Sequence, residues 1–177
     1  TSFKEREWHA WFESYSSYFL AFASMAQEER VEMMSLNCEL YVANNQEARW
    51  RSLVRQTRAI YSGLLTTASN WSPFPSSVLW WDALDFIGVD AYFPLKGKTV
   101  DDLSKEWLPI MAQLKNLSIS TNRSVIFTEL GYPSGTGLRN DKPTPADYQL
   151  QAYQYEALFR VTQFEKWFDG VFWWNWE

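Results

Sequence analysis

Short apolar segments alternate with amphipathic helical stripes along the chain, and this alternation restricts the possible folds more than any other feature of the sequence. The strand-like segments are Val31–Leu36, Leu64–Ala68, Phe86–Ala91, Ser124–Thr128 and Gly170–Trp176. Apolar strands separated by helical segments are typical of a parallel sheet whose faces are covered by crossover helices. We therefore predict an α/β fold that begins with a helix, continues with four strand–helix units and ends on a strand.

Helices are indicated where large apolar residues recur every three or four positions. The predicted segments are a core-facing stripe from Trp8 to Met25, a stripe from Trp50 to Tyr61, a brief piece at about Val78–Leu84, a helix from Thr99 onward and a last helix from Thr144 to about Phe164. Thr99 with Asp102, and Thr144 with Asp147, have the spacing of capping boxes and predict two helix starts. Gly63 is a candidate for the end of the second helix.

Two parallel architectures fit this order, the doubly wound open sheet and the closed (β/α)8 barrel. The open sheet usually has a Gly-rich phosphate loop after a strand, and no strand is followed by one here. In the barrel, functional residues gather on the loops that follow the strands. The side chains at such positions are Glu39, Asn70, Tyr92, Glu129 and the Trp173–Trp176 group. This shared placement favours the barrel.

Composition argues against several classes of function. The 21 acidic and 16 basic residues include no Lys/Arg block that could follow a phosphate backbone, so nucleic acid is not an expected partner. No apolar run reaches the length of a membrane span. Cys38 is the only cysteine and His9 the only histidine, which disfavours a zinc site and a serine or cysteine nucleophile paired with histidine. Sequons at Asn70, Asn116 and Asn122 are compatible with an extracellular or secretory-pathway location, which we favour.

The chemistry of sugars fits the remaining features. Aromatic residues make up 18% of the chain, and 11 of them are tryptophans, whose flat apolar rings suit sugar faces. Retaining cleavage of a glycosidic bond needs one carboxylic acid to protonate the leaving oxygen and a second carboxylate, about 5–5.5 Å away, to attack the anomeric carbon. Glu39 and Glu129 each follow an apolar strand and can supply this pair. Alternatively, each is a rim carboxylate bound to a neighbouring arginine or backbone amide.

Several segments also carry a family resemblance. They are SLNCEL at Ser35–Leu40, WRSLV at Trp50–Val54, WDALDFIGVDAYFP at Trp81–Pro94, FTELGY at Phe127–Tyr132 and GVFWWNW at Gly170–Trp176. With these segments the chain resembles glycoside hydrolase family 113, a clan A family of barrel glycosidases that includes endo-β-mannanases. The resemblance implies that Glu39, after the fourth barrel strand, is the acid/base and that Glu129, after the seventh, is the nucleophile. Clan A proteins commonly have asparagine directly before the acid/base, whereas this chain has Cys38 there and Asn37 one position earlier.

The double-displacement mechanism also needs the two glutamates to differ in protonation. Tyr92 is the best candidate for holding Glu129 in its charged form. Trp174 and Trp176 share one side of the last strand, and one of them is expected to form the floor beneath the sugar. The remaining predicted substrate contacts are Asn37, Asn70 and Trp71.

No cofactor and no metal ion is predicted. Asp82, Asp85 and Asp90 lie on a helix and a strand and lack the alternating spacing of a calcium loop. We therefore assign them to helix capping and salt bridges. His9 lies within the first helix, away from every strand end, and is interpreted as a surface or boundary residue.

The number of strands predicts an incomplete barrel. A whole barrel has eight strands in about 250 residues, whereas the five here match the fourth to eighth of the family. We expect residues 1–177 to form a single partial (β/α)8 catalytic domain that belongs to a larger protein. The predicted function is a retaining glycoside hydrolase of β-linked polysaccharide, with β-mannan favoured by the resemblance alone. The alternative is a catalytically inactive carbohydrate-binding or interaction protein on the same scaffold.

Overall fold

The computed structural model describes residues 3–135 and 142–174. Its strands and helices follow the predicted order except between the second and third strands, where two 3-10 turns replace the predicted helix. The strands are β1 (Met33–Cys38), β2 (Leu64–Asn70), β3 (Phe86–Asp90), β4 (Ser124–Leu130) and β5 (Phe168–Trp173). The α-helices are α1 (Glu5–Glu28), α2 (Glu47–Arg58), α3 (Val100–Thr121) and α4 (Pro145–Thr162). Short 3-10 turns lie at Tyr41–Ala43, Pro75–Ser77 and Trp81–Ala83.

The strands form one sheet whose order follows the chain, β1-β2-β3-β4-β5. The β1–β2 and β4–β5 pairs are parallel, as expected for strands joined by crossover helices. The register shifts between Ser35 and Cys38 in β1, and again between Phe127 and Leu130 in β4. Such irregularities redirect side chains and are frequent next to active sites. The predicted α/β class with a parallel sheet is therefore confirmed.

The chain divides into two compact units, residues 1–88 and 89–177. The core of the first unit is built around Trp50, which is completely buried. The ring of Trp50 meets the edge of Phe12 from α1 at 4.9 Å and stacks on Trp80 at 5.3 Å. The indole N–H of Trp50 also donates a hydrogen bond to the carbonyl of Ala43 at 2.9 Å. One side chain thus ties together α1, α2 and two connecting segments.

The core of the second unit is built around β4. Phe127 is completely buried, stacks on Trp107 of α3 at 5.8 Å and meets the edge of Phe168 of β5 at 4.8 Å. Close packing of this kind leaves little freedom to the strand, because interiors are as dense as organic crystals. Since Phe127 lies two residues before Glu129, the core determines where the candidate nucleophile leaves the strand.

Both predicted capping boxes start helices. The hydroxyl of Thr99 accepts a hydrogen bond from the backbone N–H of Asp102 at the start of α3. At the start of α4, Thr144 accepts from the N–H of Asp147, and the Asp147 carboxylate accepts in return from the N–H of Thr144 at 2.7 Å. These bonds satisfy backbone donors that have no partner inside the helix.

The predicted helix at Val78–Leu84 is wrong. Two separate 3-10 turns lie in this region, and Val78 between them is extended, with φ −86° and ψ 116°. Val78 and Trp80 would lie on opposite sides of a helix, yet both are buried here. Tertiary packing of the two side chains on the same core therefore overrides the helical pattern.

Gly63 does not end the second helix. Helix α2 ends at Arg58, with Ala59 in a right-handed conformation as its cap. A β-carbon at Gly63 would lie 2.2 Å from the hydroxyl oxygen of Tyr61. The glycine is needed because the tyrosine side chain folds back against this part of the backbone.

The apolar stripe of α1 is only partly core-facing. Phe12 and Phe19 are buried, whereas Tyr18, Phe22 and Met25 are 63%, 43% and 51% exposed. The stripe is wider than the surface that packs against it, so the prediction that all of it faces the core is wrong. Within the described ranges, no helix has both the length and the apolar character needed to cross a membrane.

Candidate active site

Glu39 directly follows β1 and has a left-handed backbone conformation, with φ +57°. This conformation costs a residue other than glycine about 1–2 kcal/mol, so the surrounding structure must enforce it. The N–H of Glu39 donates to the carbonyl of Ala68 on β2 at 2.9 Å, which ties the turn to the neighbouring strand. The side chain of Glu39 is exposed. Arg30 and Asn122 have nearly the same left-handed conformation, so the backbone conformation alone assigns no role to Glu39.

Two asparagines in the same unit have buried polar atoms that lack partners. Asn37, near the end of β1, is 8% exposed, and its Nδ2 has no hydrogen-bond partner among the described residues. The same holds for the Oδ1 of Asn70, at the end of β2. Buried polar atoms without partners are rare in folded proteins. A donor and an acceptor of this kind suit the hydroxyl groups of a sugar, which both accept and donate hydrogen bonds.

Trp71 follows Asn70 and is partly buried. It lies just after β2, at the strand end where the sequence analysis expects a substrate contact. Cys38, which occupies the position directly before Glu39, is exposed. At the end of β1, the buried amide side chain is therefore that of Asn37, one position before Cys38.

The structure brings Tyr92 and Glu129 together in the second unit. The hydroxyl of Tyr92 donates a hydrogen bond to Oε2 of Glu129 at 3.1 Å. Glu129 lies in β4, and Tyr92 lies two residues after the end of β3. A hydrogen bond between two neighbouring strand ends fixes the orientation of the carboxylate.

Asp90, which was predicted to serve helix capping or a salt bridge, is instead a buried neighbour of this pair. It is completely buried at the end of β3, and its Oδ1 accepts a hydrogen bond from the hydroxyl of Thr128 at 2.7 Å. One carboxylate oxygen of Asp90 lies within 4.8 Å of one from Glu129. The signal that could have found Asp90 is its spacing, because residues two apart on a strand share a face and Asp90 precedes Tyr92 by two.

The other two aspartates behave as predicted. Asp82 forms a two-pronged salt bridge with Arg51, with N–O distances of 2.7 and 2.9 Å. Asp85 pairs with Arg58 and also accepts a hydrogen bond from the N–H of Leu65 at 2.6 Å. Both are therefore structural, and only Asp90 joins the candidate site.

Trp174 follows β5 and is 55% exposed. Its backbone N–H donates to the carbonyl of Leu130 at 2.9 Å. A β-carbon at Gly131 would lie 2.6 Å from the carbonyl oxygen of Trp174, so the two backbones approach more closely than any larger residue would allow. The exposed indole can present a flat face to a sugar. The second predicted tryptophan, Trp176, lies outside the described residues.

A separate open recess of about 1110 Å³ lies between α1 and α2. Its lining includes His9, Glu13, Arg49 and Arg55 and none of the predicted site residues. His9 is exposed there, as the sequence analysis expects of a surface residue. The recess is formed by helix surfaces and not by strand ends, so we do not assign the predicted chemistry to it.

Comparison with known proteins identifies a family and a set of similar structures. The model of glycoside hydrolase family 113 matches residues 1–177. A family 113 β-mannanase from Alicyclobacillus acidocaldarius is 31% identical, with a TM-score of 0.78 over 96% of this chain and 53% of that one. A family 113 β-1,4-mannanase is 28% identical, with a TM-score of 0.77 over 98% of this chain and 53% of that one. No curated protein matches.

A more distant likeness concerns the fold alone. A β-glucuronidase from Ruminococcus gnavus is 18% identical, with a TM-score of 0.64 over 90% of this chain and 30% of that one. The chain spans about half the length of the mannanase structures that it matches. The predicted architecture, part of a (β/α)8 barrel, is thus confirmed.

Proposed function

The chain belongs to glycoside hydrolase family 113, and from this premise we propose that it supplies the acid/base Glu39 and the nucleophile Glu129 of a retaining glycosidase acting on β-mannan. The choice of β-mannan is supported by the two similar family 113 structures, which are β-mannanases. The roles of the two glutamates are supported by their places at strand ends and by the contacts of each.

The hydrogen bond from Tyr92 to Glu129 carries the proposal. A nucleophilic carboxylate must present one oxygen to the anomeric carbon along a defined line, and an error of about 1 Å can cost about 10²-fold in rate. The 3.1 Å contact restrains Oε2 and so limits the rotation of the whole carboxylate.

The proposed reaction has two displacements. In the first, Glu129 attacks the anomeric carbon while Glu39 gives its proton to the departing glycosidic oxygen, which leaves a covalent glycosyl–enzyme ester. In the second, Glu39 takes a proton from a water molecule, whose oxygen attacks the same carbon and releases Glu129. This mechanism requires the two carboxyl groups to be about 5–5.5 Å apart.

The environment of Glu39 suits an acid/base. Its exposed side chain can exchange protons with solvent between turnovers. Among the residues that the structure describes, no arginine or lysine forms a salt bridge with Glu39. The left-handed backbone and the bond to Ala68 restrict the direction in which the side chain leaves the strand.

We further propose that polar and aromatic side chains at the strand ends bind the sugar units. The buried amide atoms of Asn37 and Asn70 would bind hydroxyl groups, since each lacks a partner among the described residues. Trp71 and Trp174 would stack on sugar faces, and Trp176 is retained as a proposal from the sequence. A contact that forms only in the transition state raises kcat, whereas a contact that binds the substrate and the transition state equally well lowers KM.

The test is hydrolysis of β-mannan, β-glucan and xylan oligosaccharides by the full-length protein and by its Glu129→Gln variant. We expect release of β-configured product from mannan oligosaccharides, and a loss of more than about 10³-fold in kcat for the variant. The matched control is Glu156→Gln, because Glu156 lies in the same unit and forms an exposed salt bridge with Arg160.

Three outcomes would count against the proposal. Equal activity of Glu129→Gln and the parent would remove the nucleophile. Release of α-configured product would contradict retention. Binding of mannan oligosaccharides without any hydrolysis by the parent would favour the alternative, a catalytically inactive carbohydrate-binding protein.

A further inference from the structure

We propose that Asp90 and Thr128 form a positioning pair that holds Glu129 in the orientation needed for attack. This inference rests on the proposed role of Glu129 as nucleophile. Neither residue is assigned to the substrate or to proton transfer. Their task would be to fix the strand end from which Glu129 projects.

The burial of Asp90 is the first observation. Its side chain is completely buried, and a carboxylate is costly to bury unless it is hydrogen-bonded or paired. The hydroxyl of Thr128 donates to its Oδ1 at 2.7 Å. Bonds from a hydroxyl to a charged carboxylate are shorter and stronger than bonds between neutral groups. The contact therefore strongly restrains both residues.

The second observation is that the bond between Asp90 and Thr128 is one of three neighbouring contacts between the end of β3 and β4. Next to it, the N–H of Ala91 donates to the carbonyl of Glu129 at 2.7 Å. One residue further, Tyr92 donates to the Glu129 side chain at 3.1 Å. Consecutive residues of one strand end thus hold the side chain of Thr128, the backbone of Glu129 and the carboxylate of Glu129. We call this set of contacts the β3–β4 clamp.

The third observation is the proximity of two carboxylates. An oxygen of Asp90 lies within 4.8 Å of one from Glu129. Two carboxylates at this separation repel each other when both are charged. The bond from Thr128 keeps Asp90 in one rotamer and offsets part of its charge. Without this hydroxyl, Asp90 would lose a donor and both carboxylates would change position.

The test removes and then restores the hydroxyl. Thr128→Val has nearly the same shape but no hydroxyl, and Thr128→Ser keeps the hydroxyl. In the full-length protein, with a mannan oligosaccharide as substrate, we expect Thr128→Val to lower kcat about 10–100-fold and to change KM less than about twofold. Thr128→Ser should restore kcat to within about threefold of the parent.

A matched control separates positioning from stability. Thr162 is a buried threonine of the second unit, and its hydroxyl donates to the carbonyl of Leu158 in α4, at 2.9 Å. Thr162→Val should lower the melting temperature and leave kcat unchanged. If Thr128→Val also lowers only the melting temperature, Thr128 is merely structural and the inference is overturned.

Two further variants keep the outcome decisive. If Thr128→Val does not fold, Asp90→Ala takes its place, because the alanine side chain has no atom that can accept the hydrogen bond from Thr128. A kcat within twofold of the parent for Asp90→Ala would then overturn the inference. Glu129→Gln distinguishes the two proposals: a fully active Glu129→Gln contradicts the proposed function, whereas an inactive Glu129→Gln with a normal Thr128→Val contradicts the positioning pair alone.

Discussion

The left-handed backbone at Glu39 leads to a measurable prediction about stability. Substitution by glycine should relieve the conformational cost, whereas substitution by alanine should retain it. A left-handed conformation costs a residue with a β-carbon about 1–2 kcal/mol. The glycine variant loses about 0.4–1 kcal/mol of this gain in stability, because its unfolded chain has more conformational freedom. We therefore expect Glu39→Gly to be more stable than Glu39→Ala by about 0.5–1 kcal/mol.

The chain offers a matched control for this comparison. Arg30 has φ +56°, close to the +57° of Glu39, and it is exposed after α1 in the same unit. The Arg30→Gly and Arg30→Ala pair should therefore show the same difference in free energy of unfolding. Equal values at the two positions would indicate that the backbone conformation, and not the lost carboxylate, accounts for the effect.

The assay is equilibrium unfolding in urea, with the full-length protein and the four variants measured side by side. A difference of about 1 kcal/mol exceeds the error of comparing midpoints at constant slope. The reasoning would be refuted if Glu39→Gly were no more stable than Glu39→Ala while the Arg30 pair differed as expected. Both Glu39 variants should lose the proposed acid/base function, because neither retains a carboxyl group.

Two further predictions concern close packing and alkaline pH. Gly131→Ala should lower the free energy of unfolding by about 1–3 kcal/mol, because its methyl carbon would lie 2.6 Å from the carbonyl oxygen of Trp174; an unchanged urea midpoint would contradict this close approach. Burial raises the pKa of Tyr15 to about 12, and its hydroxyl donates to the carbonyl of Leu36 at 2.6 Å. The folded state therefore holds this proton more tightly than the unfolded state, whose tyrosine pKa is about 10. The resulting stabilisation is complete below pH 10 and declines from about pH 10 to pH 12. The free energy of unfolding in urea, measured from about pH 10 to pH 12, should decline less for Tyr15→Phe than for the parent protein. Equal declines in the two proteins would refute the assignment.

The sequence alone was enough to predict the order of strands and helices, because apolar periodicity and capping are properties of neighbouring residues. Thr144 and Asp147 are three residues apart, and their reciprocal bonds form whenever the helix starts there. It also predicted that Glu39 follows a strand, whereas Glu129, expected directly after a strand, lies in β4 one residue before its end. The helix expected at Val78–Leu84 failed for the opposite reason, since burial in the core of the first unit overrode the local pattern.

Tertiary structure alone decided which polar side chains meet at the strand ends. Thr128 and Asp90 are 38 positions apart, and Tyr92 and Glu129 are 37 apart, so no local pattern predicts their hydrogen bonds. Those bonds depend on the register of neighbouring strands, which the packing of residues such as Phe127 determines. Local chemistry thus determined which segments become strands and helices, whereas the dense core, which permits one arrangement of these strands, decided which side chains they bring together.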